Sequence, residues 1–542
     1  MSSAVEIAAA VRDRSRSAVE VTEEALARAE SRGPRLGAFV MVTPELALAQ
    51  ALAVDEAVAR GEGDSLALAG VPCPIKDLNQ VAGVPMSAGS RVLAATPIVP
   101  TVDDGVVTRL REAGTTMVGK TATPEFGFPP YTEPRLGPDG AVVAARTPWD
   151  LSRGAGGSSG GAAAAVAAGI VPIAHASDGG GSIRIPAASC GIVGFKPSRG
   201  LVSPGPWGVE GNGLSTGGVL ARTVRDSALA LDAIAGPWPG DTTVPPSDWR
   251  SRGTLAGAGL AGGAGSVGSA GSVGSAGSVG SAGSAGGPGP AGGAGATGGA
   301  GVGGGAAASN HAAGGGLLAA CGASFTRPLR VGLLTVPVVA SDAVVHPEAE
   351  AAAQRAARTL EGLGHEVTPA PVPFTDEEWE PFMALWSSLA LMLPVPDEAE
   401  EFLTPLTRWL RSIGRGVSGA AYAQAMAGSQ QIARQVARVW SEFDVILTPS
   451  LAAPPAPVGS IRNDEDPARD FADQKRFTPW TSIANLTGAP SVSLPVHRAT
   501  VDGIELPFGA MLTGWWGRDA ELFALSAAIE EADPWPAPPT GA

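Results

Sequence analysis

Cysteine is scarce in this 542-residue chain. The three cysteines, Cys73, Cys190 and Cys321, have the spacing of neither a disulfide framework nor a zinc site, which suits the reducing cytoplasm. Long apolar runs are also missing. No stretch contains about 18 uninterrupted apolar residues, the length that a membrane-spanning helix needs. The charged N-terminus has no apolar core of signal-peptide length. We therefore expect a soluble cytoplasmic protein with no metal site and no membrane partner.

Positive charge is the second shortage. Charged residues make up 16% of the chain, and 52 acidic residues outnumber 37 basic ones, for a net charge of −15. An acidic chain is repelled by phosphate backbones and anionic lipid surfaces, so nucleic acid is not the expected partner. Apolar residues reach 44%, which is enough to bury a sizeable core.

Charge vanishes altogether in one segment. Residues 253–326 contain no Lys, Arg, Asp or Glu, and the hexamer GSVGSA occurs three times in tandem from 265 to 282. Such a Gly/Ala/Ser-rich segment cannot bury enough side chain to offset its ordering entropy, so we predict a flexible, disordered insertion. Because helix and strand patterns resume directly after it, residues 1–252 and 327–542 are predicted to form two parts of one domain.

Outside that segment the pattern is α/β. Ser17 and Glu20 form a capping-box signature that opens a helix, and PEAEAAAQRAARTLEGLG begins a long one at Pro347. Short apolar runs such as LRVGLLT, DVILTPS and APSVSLPV are typical of buried strands. Helices that alternate with short strands predict a large mixed β-sheet sandwiched between helices.

The stretch HASDGGGSIRIPA, residues 175–187, places the hydroxyl of Ser182 directly after three glycines. Three residues without side chains are costly to order, so something is expected to approach this backbone closely. A nucleophilic serine needs a base. His175 is one candidate, with Asp178 nearby to orient it, although a lone histidine at a strand end is more often a structural hydrogen-bonding group.

A second serine-rich loop precedes it. Residues 156–160, GGSSG, fit the G-x-S-x-G pattern of a hydrolase nucleophile elbow, but that motif requires a strand in front of it. The lead-in RTPWDLSRGA is rich in turn residues, so the match is disfavoured. A phosphate-binding loop is disfavoured too, because no lysine follows the glycines.

Together these pieces resemble the amidase signature family. GGSSGG is followed by SDGGGSIRIPAASCGIVGFKPSRG, with Ser158 and Ser182 24 positions apart, and LAGVPCPIKDL carries Lys76 upstream. GKTATPEFG, RTPWDLSRGAGG, DVILTPS and NLTGAPSVSLP match in the same order, so the resemblance covers nearly the whole chain except roughly 250–326. Within the family the chain is most similar to bacterial amidases akin to 6-aminohexanoate-cyclic-dimer hydrolase.

The resemblance implies a Ser-Ser-Lys triad that needs no cofactor. Ser182 would be the nucleophile, Ser158 in a cis peptide would relay protons, and neutral Lys76 would be the base. A lysine has a reference pKa of about 10.4, so this role requires burial to lower it by roughly 3 units. Asp77 would oppose that shift, but neighbours on a strand point to opposite faces.

The family also assigns roles to the glycine loop. The N–H groups of Gly179, Gly180 and Gly181, with that of Ser182, would stabilise the oxyanion formed when Ser182 attacks a substrate amide. Asp178 and Arg184 are interpreted as a structural ion pair that fixes this loop.

Three functional hypotheses remain. The first is a stand-alone amidase that acts on a small-molecule amide, with a homodimer as the family-level expectation. The second is the amidase subunit of a tRNA-dependent amidotransferase, in which Asn is usual where this chain has Ala122 and Thr147. The third is a non-catalytic scaffold, which would be expected to have lost part of the triad. Trp149 and Trp207 flank the motif loops and are candidates for either pocket lining or core packing.

Overall fold

The computed structural model describes residues 2–208, 213–244, 255–256 and 316–540. The strands in this part of the chain are β1 (Phe39–Val42), β2 (Ile75–Lys76), β3 (Gly119–Thr121), β4 (Ile173–Asp178), β5 (Val193–Lys196), β6 (Thr216–Ala221), β7 (Leu255–Ala256), β8 (Ser324–Phe325), β9 (Arg330–Leu333), β10 (Glu366–Pro369), β11 (Val445–Pro449), β12 (Ser491–Val501) and β13 (Ile504–Thr513).

Helices cover the sheets. They are α1 (Ala4–Arg12), α2 (Ala18–Leu36), α3 (Pro44–Ala59), α4 (Arg91–Ala95), α5 (Gly105–Glu112), α6 (Gly160–Ala167), α7 (Arg184–Cys190), α8 (Val224–Ile234), α9 (Leu317–Ala320), α10 (Pro347–Gly362), α11 (Glu380–Leu391), α12 (Pro405–Gly416), α13 (Gly419–Val439), α14 (Pro467–Phe477), α15 (Ser482–Thr487) and α16 (Asp519–Ala532). None of these helices combines the length and apolar character needed to cross a bilayer.

The main sheet has eight strands in the order β10-β9-β11-β13-β12-β5-β6-β4. Strand β9 pairs in parallel with β10 and β11, whereas the remaining neighbours pair antiparallel. The prediction of an α/β fold with a large mixed sheet flanked by helices is therefore confirmed. A second, three-stranded sheet in the order β1-β3-β2 carries Lys76 at the end of β2.

Local sequence explains the helix boundaries that were predicted. Ser17 and Glu20 form the expected capping box at the start of α2, since each side chain accepts a hydrogen bond from the other residue's backbone N–H. Helix α10 begins at Pro347, where a missing N–H costs nothing.

The alanine-rich helix α6 is buried at every residue. Its N-terminus packs against the backbone so closely that a Cβ added to Gly161 would lie 2.4 Å from Ala122 N and Ala38 O. Small residues permit this approach, and the approach fixes the loop of Ser158 and Ser159 that leads into α6. The small sheet meets the main one next to this loop, where His175 N donates to Pro74 O across 3.0 Å.

The C-terminal end of the predicted insertion is ordered. Residues 316–326 contain α9 and β8, and β8 pairs antiparallel with β7. The Asp232 carboxylate accepts the N–H groups of Leu317 and Leu318 at 2.8 and 2.9 Å, which anchors the start of α9. The boundary drawn at 326 is thus too late, because α9 packs on α8 and α16 in the core. Residues 253–254 and 257–315 of the predicted insertion lie outside the described residues.

Two phenylalanines join the main sheet to its covering helix. Phe195 of β5 and Phe523 of α16 stack with ring centroids 3.9 Å apart and planes 8° apart, and both side chains are buried. This stack lies in the largest cluster of buried apolar residues.

We expect Phe523→Ala to lower the free energy of unfolding by about 3–5 kcal/mol, because it removes a buried ring and leaves a cavity. Urea or thermal denaturation followed by circular dichroism measures this loss. Val344→Ala is the matched control, since Val344 is 87% exposed and should change the same quantity by less than about 0.5 kcal/mol. Equal unfolding curves for Phe523→Ala and the wild type would contradict the role assigned to the stack.

Candidate active site

Lys76 is fully buried, and its amine lies against hydroxyl groups. Nζ lies within hydrogen-bond distance of Ser158 Oγ, at 2.8 Å, of Ser177 Oγ, at 3.2 Å, and of Ser177 O, at 3.4 Å. Burial lowers the pKa of Lys76 to about 7, although the negative charge of Asp178 acts in the opposite direction. The amine is therefore substantially neutral near pH 7 and can accept a proton.

The adjacent Asp77 does not contact Lys76. Its carboxylate pairs with Lys120 Nζ at 2.9 Å and also accepts hydrogen bonds from the Ser87 hydroxyl, at 2.6 Å, and from the Ser87 and Ala88 N–H groups, each at 3.0 Å. The expectation that Asp77 points away from its neighbour is confirmed. Lys76 thus keeps no carboxylate within ion-pair distance in the described part of the chain.

Ser158 follows a cis Gly157–Ser158 peptide bond, as the resemblance implies. Gly157 is needed here because an added Cβ would lie 2.7 Å from Tyr131 N. The next residue joins the two serine loops, since Ser159 N donates to Ser182 O at 3.2 Å.

The Asp178 carboxylate holds the loop of Ser182. It accepts the N–H groups of Gly181 and Ile183 at 2.8 and 3.1 Å, and it pairs with Arg184 through two bonds of 2.9 and 3.0 Å. Burial alone would raise the pKa of Asp178, but the Arg184 charge and its hydrogen bonds outweigh it and hold that pKa below its usual range. The geometry fits the interpretation of Asp178 and Arg184 as a structural pair.

Distant residues complete this support. Arg184 Nη1 donates to Thr481 O at 2.7 Å and Nη2 donates to Asn485 Oδ1 at 2.8 Å, while the Thr481 hydroxyl donates to Gly180 O at 2.7 Å. Thr481 and Asn485 belong to the WTSIANLTG segment around α15, some 300 positions later in the chain. The sequence motifs alone did not assign them a role.

One of the glycines differs from the expectation. The Gly181 N–H donates to Asp178, so it is not available as an oxyanion donor, and this part of the prediction is corrected. In the described part of the chain, the N–H groups of Gly179, Gly180 and Ser182 have no hydrogen-bond acceptor. Gly181 is instead required by its backbone, whose φ is +134°, and by the Thr481 side chain, from which an added Cβ would be 2.6 Å.

The Ser182 hydroxyl itself has no hydrogen-bond partner among the described residues. The structure therefore joins Lys76 directly to Ser158, whereas Ser182 is linked to that loop through the backbone contact with Ser159.

The candidate base His175 is fully buried, and neither ring nitrogen has a hydrogen-bond partner among the described residues. Burial, together with the positive charges of Lys76 and Lys120, lowers the pKa of His175 to about 3. Its proposed orienting group, Asp178, is already paired with Arg184. His175 therefore lacks the contacts that a general base for Ser182 requires.

No group of three His, Cys, Asp or Glu side chains in the described ranges is arranged to hold a metal ion.

An aromatic pocket opens beside Gly180 and Ser182. Its walls include the aromatic side chains Phe128, Trp379, Phe382, Trp386 and Phe471. The rings contact one another: the centroids of Trp379 and Phe382 are 4.5 Å apart, and those of Phe382 and Trp386 are 5.3 Å apart. Such a wall favours an apolar substrate body.

The sequence motifs did not reveal this pocket. Trp379, directly before α11, and Phe382 and Trp386, on α11, recur at helical spacing, but that spacing equally fits core packing. The two tryptophans that were considered do not line it. Trp149 donates to Cys190 O at 2.9 Å elsewhere, and Trp207 is 72% exposed.

Comparison with known proteins agrees with these features. The model of the Amidase family matches residues 20–257 and 317–523. A protein of Synechocystis sp. named "Putative amidase" is 32% identical over 537 residues, covering 98% of this chain and 88% of the relative. A glutamyl-tRNA(Gln) amidotransferase subunit from Synechococcus elongatus is 45% identical, but over 228 residues only, covering 42% of this chain and 46% of the relative.

The solved structure of 6-aminohexanoate cyclic dimer hydrolase superimposes with a TM-score of 0.78 and 26% identity, covering 98% of this chain and 97% of that one. The fold, the matched residue ranges and the relative that aligns over 98% of this chain agree with one another. The chain belongs to the amidase family and is an amidase-signature enzyme that hydrolyses amides.

Proposed function

We propose that this amidase cleaves the C–N bond of a carboxamide through a Ser-Ser-Lys triad and an acyl-enzyme intermediate. The observation that carries the proposal is the buried amine of Lys76, which has a pKa of about 7 and a 2.8 Å hydrogen bond to Ser158. A neutral amine in this position has the basicity that a proton-accepting group needs near neutral pH.

Acylation begins when Ser182 Oγ attacks the substrate carbonyl carbon. Its proton passes to Ser158 Oγ while the Ser158 proton passes to Lys76 Nζ. The relay requires a hydrogen bond from Ser182 to Ser158, and such bonds commonly tighten only when substrate is bound. The negative charge on the carbonyl oxygen is stabilised by the N–H groups of Gly179, Gly180 and Ser182, and each such donor is typically worth about 3 kcal/mol.

Collapse of this intermediate breaks the C–N bond. The proton held by Lys76 returns through Ser158 to the leaving nitrogen, which departs as ammonia or an amine. Water then attacks the Ser182 ester and gives its proton to the same relay. The relay returns that proton to Ser182 Oγ as the ester C–O bond breaks and the carboxylic acid leaves. All three protein groups end in their starting protonation states.

The amidotransferase hypothesis has one observation in its favour, the 45% identity to the Synechococcus amidotransferase protein over 228 residues. The relative that aligns over 98% of this chain favours a stand-alone amidase instead. Purification distinguishes the two, because a stand-alone amidase turns over small amides without partner proteins, whereas an amidotransferase component co-purifies with them.

Substitution of each triad member tests the relay. We expect Ser182→Ala and Lys76→Ala to lower kcat/KM for a primary amide and an anilide by at least about 10³-fold. Removal of one member of a catalytic unit costs about as much activity as removal of all of them. Fluorophosphonate labelling should be lost in Ser182→Ala.

His175→Gln is the control for this series, with circular dichroism to confirm that each variant is folded. It should retain activity within about tenfold, since His175 takes no part in the relay. Loss of turnover in His175→Gln with full activity in Lys76→Ala would show that the base is misassigned.

The pH dependence of kcat/KM reports the pKa of the base in the free enzyme. Because burial lowers the pKa of Lys76 to about 7, the amine is protonated and inactive below that pH. We expect kcat/KM to fall by about tenfold per pH unit below 7 and to level off above it. An activity limb that continues to rise up to about pH 10, the range of an ordinary lysine, would contradict the role of burial.

A further inference from the structure

Lysine is used in very few places in this protein. Only four of its 37 basic residues are lysines, at positions 76, 120, 196 and 475, and arginine supplies the rest. Lys76, Lys120 and Lys196 are fully buried and bond to a hydroxyl, a carboxylate or a backbone carbonyl. Lys475 is the exception, because it is only partly buried.

Lys475 lies on α14 and lines the aromatic pocket that contains Ser182 and Gly180. It is the one charged side chain among the described residues that line this pocket. Its Nζ stands 5.4 Å from the ring centroid of Trp379, another lining residue, which places the ammonium at the aromatic wall.

In the described part of the chain no carboxylate lies within 4.0 Å of the ammonium, and Asp342, which acts on it from farther away, is held by Arg476. Its neighbours on α14 are different. Arg476 pairs with Asp342 and Asp473, each at 2.7 Å, and Arg469 approaches Asp473 at 3.7 Å. In a chain with excess negative charge, a pocket-lining cation that the fold leaves unpaired is available to an anion from outside.

The surroundings favour such an anion. Aromatic walls exclude water, and a charge pair gains strength where the local dielectric is low. A lysine ammonium is a compact charge with three donors, so it fits one carboxylate in a narrow space where a planar guanidinium would need more room.

We propose that Lys475 binds a carboxylate carried by the substrate, so that the preferred substrates are amides with an apolar body that ends in a carboxylate. The proposal rests on the proposed function for the position of the scissile amide beside Ser182. The aromatic wall holds the apolar body, and Lys475 selects the charged end.

Two matched pairs of amides test this selection. On the acyl side, adipic acid monoanilide is compared with neutral hexananilide. On the amine side, N-hexanoyl-6-aminohexanoate is compared with neutral N-hexylhexanamide. In the wild type we expect kcat/KM for the carboxylate member of at least one pair to exceed that of the neutral member by about tenfold or more, which corresponds to about 1.4 kcal/mol.

Lys475→Gln should lower that carboxylate-to-neutral ratio by about tenfold, and Lys475→Arg should restore part of it. Arg469→Gln is the matched control, since it removes an exposed charge from the same helix outside the pocket, leaves Arg476 on Asp342, and should leave the ratio unchanged. A ratio near one in the wild type, or an equal ratio in Lys475→Gln and the wild type, would overturn the proposal. If Lys475 had only a structural role, Lys475→Gln would lower kcat/KM for both members of a pair by the same factor and leave their ratio unchanged.

Binding to Ser182→Ala separates this inference from the proposed mechanism. Calorimetry is carried out with adipic acid monoanilide and N-hexanoyl-6-aminohexanoate. The dissociation constant should be about tenfold larger for the double variant Ser182→Ala/Lys475→Gln than for Ser182→Ala alone. Charge-dependent binding without hydrolysis by the wild type would support Lys475 and contradict the triad. Hydrolysis of the neutral amides with no dependence on Lys475 in either assay would support the triad and contradict carboxylate selection.

Discussion

The arrangement depends on one constraint, which is that the amine of Lys76 is buried without a carboxylate of its own. Two carboxylates close to it in the sequence or the fold are held by other cations, Asp77 by Lys120 and Asp178 by Arg184. Burial therefore outweighs the remaining attraction and lowers the pKa of Lys76 to about 7. If either acid were released towards Lys76, the charged amine would be stabilised and the group would lose its use as a base.

The two sheets bring these groups together. Strand β2 of the small sheet ends in Lys76, strand β4 of the main sheet ends in Asp178, and the loop before α6 lies between them with Ser158. Close packing at the glycines of α6 makes this geometry rigid, because the neighbouring backbone leaves no room for a side chain. The aromatic helix α11 and the cation of α14 then shape the space in front of Ser182.

Local sequence patterns predicted the mixed α/β fold and the capping box of α2, because these depend on neighbouring residues. The cis peptide before Ser158 and the pairing of Asp178 with Arg184 agree instead with what the family resemblance implies. The use of the Gly181 N–H by Asp178, the support from Thr481 and Asn485, and the aromatic pocket were missed. Each of these depends on contacts or hydrogen-bond choices in the folded chain, which no local pattern encodes.

The ionisation of Lys76 can be observed directly, because the chain has only four lysines. NMR titration of protein labelled at the lysine Cε or Nζ, with Lys76→Gln to assign the signal, resolves it from Lys196, whose pKa burial also lowers to about 7. We expect the signal lost in Lys76→Gln to titrate near pH 7. A midpoint near 10.4, the value of a lysine in water, would contradict the central claim that burial keeps this amine neutral.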